Sequence, residues 1–452
     1  MLTPAPQAKA SQHFTMTTMR IGSLSVNEKR DLLADLIRKK MQRWPNEEAP
    51  SGSTKILTQA LTDDHRRLFP ALEGKTYFNY GAHGTLPRPA LDAVLDSWEY
   101  MQKWGPFSAE INDWIQQEVS KTIACFGTLL GATSETIALT ENVTTGCNIV
   151  LWGLDWQQGD HILISDCENP GIVAATEEVA RRFRLHISSF RVDESDTGIM
   201  ESITRGLRSN TRLVVVSHVL WNTGQVLPLT KIAELCRANR VAQGRTLLLV
   251  DGAQSVGVLP LKLAQSGADF YAFTSHKWLC GPEGVGGLFV APESLEFLQP
   301  TFVGWRSVKI DEGDGSFSWQ PGAARFHVST SAYPLFAGLR RAISIHDEFA
   351  PIEKRYNRIL ELSRYAWERL RKADIECLQQ SPPEVGLVFI PSKAPHEIVR
   401  FLESENCYTR FMYAPECVRL SLHYFTTRNE VDQLVDLIQN HEHRGPAQFW
   451  GK

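Results

Sequence analysis

Two residues whose placement could do chemistry stand at the ends of apolar runs. Lys277 closes the stretch Tyr-Ala-Phe-Thr-Ser-His-Lys-Trp at 271–278, and Asp251 closes Arg-Thr-Leu-Leu-Leu-Val-Asp at 245–251. Four apolar residues that stop abruptly at a carboxylate read as a buried strand. Open α/β sheets bind ligands just beyond the carboxyl ends of their strands, so successive strands ending in Asp and Lys put both groups in one crevice. Pyridoxal 5'-phosphate asks for that pair: a lysine amine to form the Schiff base and a carboxylate opposite the pyridinium nitrogen. A lone lysine after a strand is ordinarily a solvated surface group, and it is Asp251 upstream that changes the reading.

A third feature supplies an anion site. Glu141-Asn-Val-Thr-Thr-Gly-Cys-Asn148 follows the apolar run 136–139 and opens a helical pattern. Thr144, Thr145 and Gly146 would there offer hydroxyls, backbone N–H groups and the positive end of a helix dipole to a phosphate. The plainer alternative makes both threonines ordinary helix caps. Ser275 and His276, directly before the lysine, would add phosphate contacts.

The elements that must position these groups alternate. Strand-like runs at 161–166, 212–218 and 246–251 are separated by helical stretches at 172–183 and 229–238, which is the βαβ signature of a mostly parallel, doubly wound sheet. The expected fold class is therefore α/β. After about residue 335 the pattern changes to long helices at 337–349 and 352–373, then short strands and a last helix at 429–439. This divides the chain into an N-terminal extension (1–70), a large cofactor-binding domain (71–335) and a smaller α+β C-terminal domain (336–452). The extension carries one helical signal. Ser25 and Glu28 form a capping box, and Leu32, Leu33, Leu36, Ile37 and Met41 form an apolar stripe. It either packs on the body or docks a partner.

Bulk composition excludes several classes. With 452 residues, a formal net charge of −4, 43 % hydrophobic and 22 % charged residues, the chain is an ordinary globular protein without the basic footprint that nucleic acid requires. No stretch approaches a membrane span, and the N-terminus lacks a secretory signal, so a cytoplasmic location is the default. The eight cysteines include no C-x-x-C pair, so neither a metal site nor a disulfide framework is expected.

From about residue 76 to 440 the sequence resembles the class V, fold-type I aminotransferase superfamily, which includes cysteine desulfurases, kynureninase and isopenicillin N epimerase. The resemblance is carried by Asp251-Gly-Ala-Gln-Ser255, Ser275-His-Lys-Trp278, Gly281-Pro-Glu-Gly-Val-Gly-Gly287, and Arg325-Phe with Thr330. Within it the likeness is strongest to the cyanobacterial L-cysteine/cystine C–S lyase. That likeness rests on Asn142-Val-Thr-Thr-Gly-Cys, Ile149-Val-Leu-Trp-Gly-Leu-Asp-Trp156, Leu220-Trp-Asn-Thr-Gly-Gln-Val-Leu-Pro228 and Val303-Gly-Trp-Arg-Ser307. The resemblance implies roles. Lys277 would carry the cofactor, Asp251 would pair with its ring nitrogen, and Gln254 would hydrogen-bond its 3-oxygen. Thr145, Ser275 and His276 would hold the phosphate, with Thr330 reaching it from a neighbouring subunit, so a homodimer with shared sites is implied. Asn222, counted also among the residues around the cofactor, and Arg419 match residues that grip the substrate carboxylate, and Arg410 matches a second arginine of that pocket. Ala82 and His83 lie in Asn79-Tyr-Gly-Ala-His-Gly84, a loop that lines the substrate side in relatives.

Two departures shape the expected reaction. Cysteine desulfurases carry a nucleophilic cysteine on a loop between the two arginines, whereas here residues 411–418 are only eight, and Cys417 matches a structural position. In Asp166-Cys-Glu-Asn-Pro-Gly171, Asn169 stands where the lyases and desulfurases have a ring-stacking histidine. Asn can neither stack as an aromatic nor shuttle a proton near neutral pH. The expectation is β-elimination from cysteine, cystine or a cysteine S-conjugate, with Lys277 as the α-proton base. The alternatives are epimerisation or transamination in a biosynthetic assembly line and, less in keeping with the short loop, desulfurase-like sulfur donation. Residues 25–43 resemble the short helical segments that precede domains of nonribosomal peptide and polyketide assembly lines, which would make a carrier protein a partner.

Overall fold

The computed structural model describes residues 59–311 and 313–443. The helix expected at 25–41, and with it the carrier-docking segment 25–43, lies outside the described residues.

Seven strands build the main sheet: β1 (Ile137–Thr140), β2 (His161–Ser165), β3 (His186–Phe190), β4 (Thr211–Ser217), β5 (Leu247–Asp251), β6 (Phe270–Thr274) and β7 (Gly286–Val290), in the order β1-β7-β6-β5-β4-β2-β3. β7 runs antiparallel to both neighbours, and the other pairings in this sheet are parallel. This is the expected mostly parallel α/β architecture.

The apolar runs are continuous because both faces of the sheet are covered. Successive side chains of a strand point to opposite faces. On β4, Leu213 and Val215 join one core with Val150, Leu151 and Ile172, whereas Val214 and Val216 join another with Ile115, Phe126, Ile203 and Ile232. Helices Val143–Gly153 and Pro170–Phe183 cover the first face. Helices Ala109–Leu130, Asp196–Gly206, Leu229–Ala238 and Pro334–Phe349 cover the second.

A second, three-stranded antiparallel sheet follows, with β8 (Leu387–Pro391), β9 (Arg410–Tyr413) and β10 (Glu416–Ser421) in the order β8-β10-β9. Helices Ile352–Lys372 and Arg428–His443 share its core through Leu362, Ala366, Leu434 and Val435. One pairing crosses the boundary read from the sequence: Thr76–Tyr77 runs parallel to Cys407–Tyr408, and Asn79 bridges Ser421. The segment entering the large region is thus tied to the C-terminal sheet, which brings the loop 79–84 beside the lysine. Among the described residues no helix is long and apolar enough to cross a membrane.

Candidate active site

Asp251 is the last residue of β5, and Lys277 follows the end of the adjacent strand β6 by three positions. Both border one cavity of about 420 Å³, together with Thr144, Thr145, Asn169, Gln254 and His276. Seven of the residues singled out from the sequence therefore converge on one space. Asn142, Val143, Ile172, Ser217, Val219, Trp221 and Ala253 complete its wall.

Burial raises the Asp251 pKa above the usual carboxylate range, opposed by the charge of Lys277 and by the Ala253 N–H, which donates to Oδ1 at 2.8 Å. Burial lowers Lys277 to about 8, with the charge of Asp251 opposing and that of Arg419 adding to the shift. A lysine so shifted is a usable base and nucleophile near neutral pH.

The floor under the lysine comes from the loop 79–84. The Gly84 N–H donates to the His276 carbonyl at 2.6 Å, and a Cβ on Gly84 would lie 2.0 Å from the Lys277 carbonyl, so only glycine fits. Gln254 is fixed from two sides: Nε2 donates to the Gly81 carbonyl at 2.7 Å, and Oε1 accepts the Trp278 indole N–H at 2.9 Å.

The expected anion site falls at the start of helix Val143–Gly153. Asn142, not either threonine, is its N-cap, with Oδ1 accepting the Thr145 N–H at 3.0 Å. The threonines occupy the first turn, where backbone N–H groups lack helical partners and can bind an anion. Gly146 plays a different part from the expected one. It is absent from the cavity wall, and a Cβ there would come within 2.8 Å of Ala272 Cβ, so it lets the helix press onto β6.

Ser275 is a correction. Its buried hydroxyl lies 2.8 Å from the Pro282 carbonyl and 2.7 Å from the Val285 carbonyl, so its single hydrogen faces backbone oxygens rather than the cavity. The neighbouring Thr274 hydroxyl, 2.7 Å from His276 Nδ1, is the one that orients a cavity residue. Sequence reading missed it because Ser275 and Thr274 are equally plausible until the end of β6 fixes which way each points.

The two arginines expected to meet the substrate, Arg410 and Arg419, sit opposite each other across β9 and β10, on one face of the sheet. Arg419 is buried, and its pKa is lowered to about 10 by burial and by the charge of Arg410. Its Nη1 donates to the Trp221 carbonyl at 3.1 Å, but its Nε has no partner, and no carboxylate of the described residues pairs with it. Asn222 Oδ1, Trp221 Nε1, Asn79 Oδ1 and Ser421 Oγ are likewise buried without partners. Buried polar groups are nearly always satisfied, so such a set points to a missing polar ligand. Arg410 is exposed, with its guanidinium over the Phe411 ring.

The remaining expected residues stand further out. Ala82 is half-buried in the loop 79–84, with its N–H bonded to the Asn79 carbonyl. His83 is exposed, with Nε2 3.1 Å from Glu283 Oε1, and neither lines the cavity. Asn169 lines the cavity as the N-cap of helix Pro170–Phe183, accepting the Gly171 N–H at 2.9 Å. Its oxygen is therefore already engaged. Thr330 faces a second cavity of about 460 Å³ that shares Thr145 with the first but touches neither Lys277 nor Asp251. Cys417 is fully buried in an apolar cluster, and burial raises its thiol to about 12.

These residues fit pyridoxal phosphate: a lysine and a carboxylate lining one cavity, a helix N-terminus beside them and unpartnered polar groups toward Arg419. Comparison with known proteins agrees. The family model "Aminotransferase class-V" matches residues 77–434. The isopenicillin N epimerase of Streptomyces clavuligerus is 31 % identical over 383 residues, covering 80 % of this chain and 93 % of the epimerase. A cysteine desulfurase of Haloferax volcanii is 27 % identical over 322 residues, 67 % of this chain and 74 % of that one. Among solved structures, the cystine C–S lyase C-DES in complex with its reaction product cysteine persulfide is similar at TM-score 0.79 and 42 % identity, covering 82 % of this chain and 99 % of the lyase. A lysine-to-alanine variant of C-DES, with glycine covalently linked to its PLP cofactor, matches with the same TM-score and identity over 83 % of this chain and 99 % of the variant. On sequence, fold and site together, the chain belongs to the class V aminotransferase family and is an enzyme whose cofactor is pyridoxal 5'-phosphate.

Proposed function

We propose that the enzyme is a C–S lyase that carries out β-elimination on cysteine, cystine or a cysteine S-conjugate. The bonds broken are Cα–H and Cβ–S. Sulfur leaves with the electron pair as sulfide, persulfide or thiol, and water converts the remaining aminoacrylate to pyruvate and ammonia. Bound pyridoxal phosphate supplies an electron sink for the negative charge at Cα. Lys277 and Asp251 would hold it, with Gln254, Thr144, Thr145 and His276 around it.

The chain's own residues do the rest. Arg419 receives the substrate carboxylate, for which a planar guanidinium suits both oxygens. Lys277, with its pKa lowered to about 8, takes the α-proton as a neutral amine. The observation that carries the lyase reading over sulfur donation is the tight hairpin β9–β10. It joins Arg410 to Arg419 with no exposed thiol, since Cys417 is packed in the core. The similarity to a cystine C–S lyase supports the same reading. Purified enzyme supplied with cystine, cysteine and S-conjugates should form pyruvate. Lys277→Ala should abolish both turnover and the visible absorbance of the lysine-linked cofactor. Absence of pyruvate from every such substrate sinks the lyase assignment, whatever the spectrum shows.

A second reading is epimerisation at Cα. It is favoured by the likeness to isopenicillin N epimerase and by Asn169 in place of a histidine. Deuterium uptake at Cα without elimination would select it, and accumulation of the pyridoxamine form would select transamination. We also propose a homodimer. Thr330 is exposed beside the uncovered apolar side chains Phe302, Val303, Trp305 and Val328, a patch that a second copy would cover.

A further inference from the structure

Four consecutive backbone carbonyls around Lys277 are each claimed by a donor. His276 O accepts from the Gly84 N–H at 2.6 Å, and Lys277 O accepts from the Cys280 N–H at 3.1 Å. Trp278 O lies 2.9 Å from His423 Nε2, and Leu279 O lies 2.8 Å from His346 Nε2. The turn needs such support, because Cys280 closes it at φ 48°, a left-handed conformation that costs a residue with a Cβ about 1–2 kcal/mol.

The tautomers follow from the acceptors. A carbonyl only accepts, so both imidazoles carry hydrogen on Nε2. Burial keeps both rings neutral, with His423 lowered to about 3 and His346 well below its usual value. His346 Nδ1 is then an acceptor, and Tyr424 Oη donates to it at 2.6 Å. Having spent its hydrogen, that hydroxyl accepts from His65 Nε2 at 2.8 Å. A one-way relay of donors thus runs from His65 on helix Gln59–Arg66 through Tyr424 and His346 to Leu279 O. His423 stacks beside it, with ring centroids 5.5 Å apart and planes 25° from parallel.

Cys280, His346 and His423 have ligand atoms within 4.8 Å of one another, a spacing a metal ion can use. Yet both nitrogens of His346 are occupied, and burial pushes the Cys280 thiol far above its usual pKa. That leaves at most one thiol and His423 Nδ1, fewer than a structural site takes.

We propose instead that His346 and His423 are positioning residues for Lys277, clamping the carbonyls of the next two residues, Trp278 and Leu279, so that its amine sweeps a fixed arc. The inference rests on Lys277 being the cofactor lysine. Lys277→Ala tests that assignment separately, because it removes the visible band that the histidine variants keep. In the holoenzyme, His423→Leu should lower kcat about tenfold or more with KM little changed, since a displacement near 1 Å at a reacting group costs on the order of 10²-fold. His423→Gln, whose amide can still donate to Trp278 O, should restore most of kcat. Equal impairment of the two variants, or a fully active His423→Leu, overturns the proposal. A measurement on the native protein decides even where His423→Leu does not fold. With ¹⁵N-labelled histidine, the resonance missing from His423→Gln and the one missing from His346→Gln should report neutral Nε2–H tautomers in the native protein throughout about pH 5.5 to 8. A charged ring or an Nδ1–H tautomer at either position overturns it as well.

Discussion

Arg419 shows how much a single side chain can reveal. A buried guanidinium without a counter-ion is costly; even a buried ion pair is often replaced by well-packed apolar groups with a gain of about 1–4 kcal/mol. Arg419→Met should therefore raise the thermal midpoint of the enzyme in the absence of amino acid. The same change should lower kcat/KM by about 10²-fold or more, since losing one partner of a buried charge-assisted pair costs about 2–5 kcal/mol. Thermal scans with and without a non-reacting amino acid check this: the wild type should gain stability from the ligand and the variant should not. A variant that is both less stable and fully active would remove Arg419 from the substrate site. Lys277 and Asp251 were legible in the sequence because each ends an apolar run, and the geometry of a sheet edge does the rest. Arg419 has no such local sign; it emerged only through likeness, because a partnerless arginine is recognised by what surrounds it. Ser275 failed for a related reason. A hydroxyl next to the lysine looks like a phosphate donor until the Pro282 and Val285 carbonyls are seen beside it.

At the scale of elements, helix Val143–Gly153 should couple stability to cofactor binding, because its first turn borders the cavity and its body lies on β6. Asn142→Ala removes the cap and should cost about 1 kcal/mol of stability. It should also weaken pyridoxal phosphate binding to the apoenzyme, measured by titration of absorbance. Gly146→Ala forces a methyl toward Ala272 and should cost about 1–3 kcal/mol, since neither the helix nor the strand has room to give. Unchanged denaturation midpoints in both variants would show that the helix start is not held as described. The sequence marked this helix and the main strands closely: the run at 246–251 is Leu247–Asp251, and the helix at 229–238 is Leu229–Ala238. Pairing of Thr76 with Cys407 left no trace in the sequence, because a bridge between segments so far apart has no local periodicity. The plainer alternative for the threonines, that they are helix caps, fails because Asn142, two and three residues before them, takes that place, and both Asn and Thr can cap.

For the whole molecule, the burial of neutral histidines sets the response to acid. Burial lowers His65, His161, His218, His276 and His327 to about 4 and His423 to about 3, and holds His346 well below its usual value. Below pH 6.5 each of these rings gains a proton in the unfolded chain but not in the folded one. Unfolding then takes up protons, and stability falls as pH falls. The slope is up to about 1.4 kcal/mol per pH unit for each fully buried ring. Glu168 works the other way. Burial raises it to about 7 despite bonds from Ser165 and Ser217, so between pH 4.5 and 7 it holds a proton in the fold that the unfolded chain has released. Its contribution is lost as pH rises through that window, which offsets one histidine among seven, and Asp251, raised by burial, acts in the same direction. The net expectation is a steady loss of stability from pH 6.5 down to about 4.5, before the exposed carboxylates protonate. Urea midpoints across that interval measure it. His423→Gln should make the decline shallower by one ring's share, because glutamine fills part of the same space and has no proton to gain. A stability that is flat or rising on acidification would mean that these histidines are charged in the fold, and the donor relay behind Lys277 would go with them.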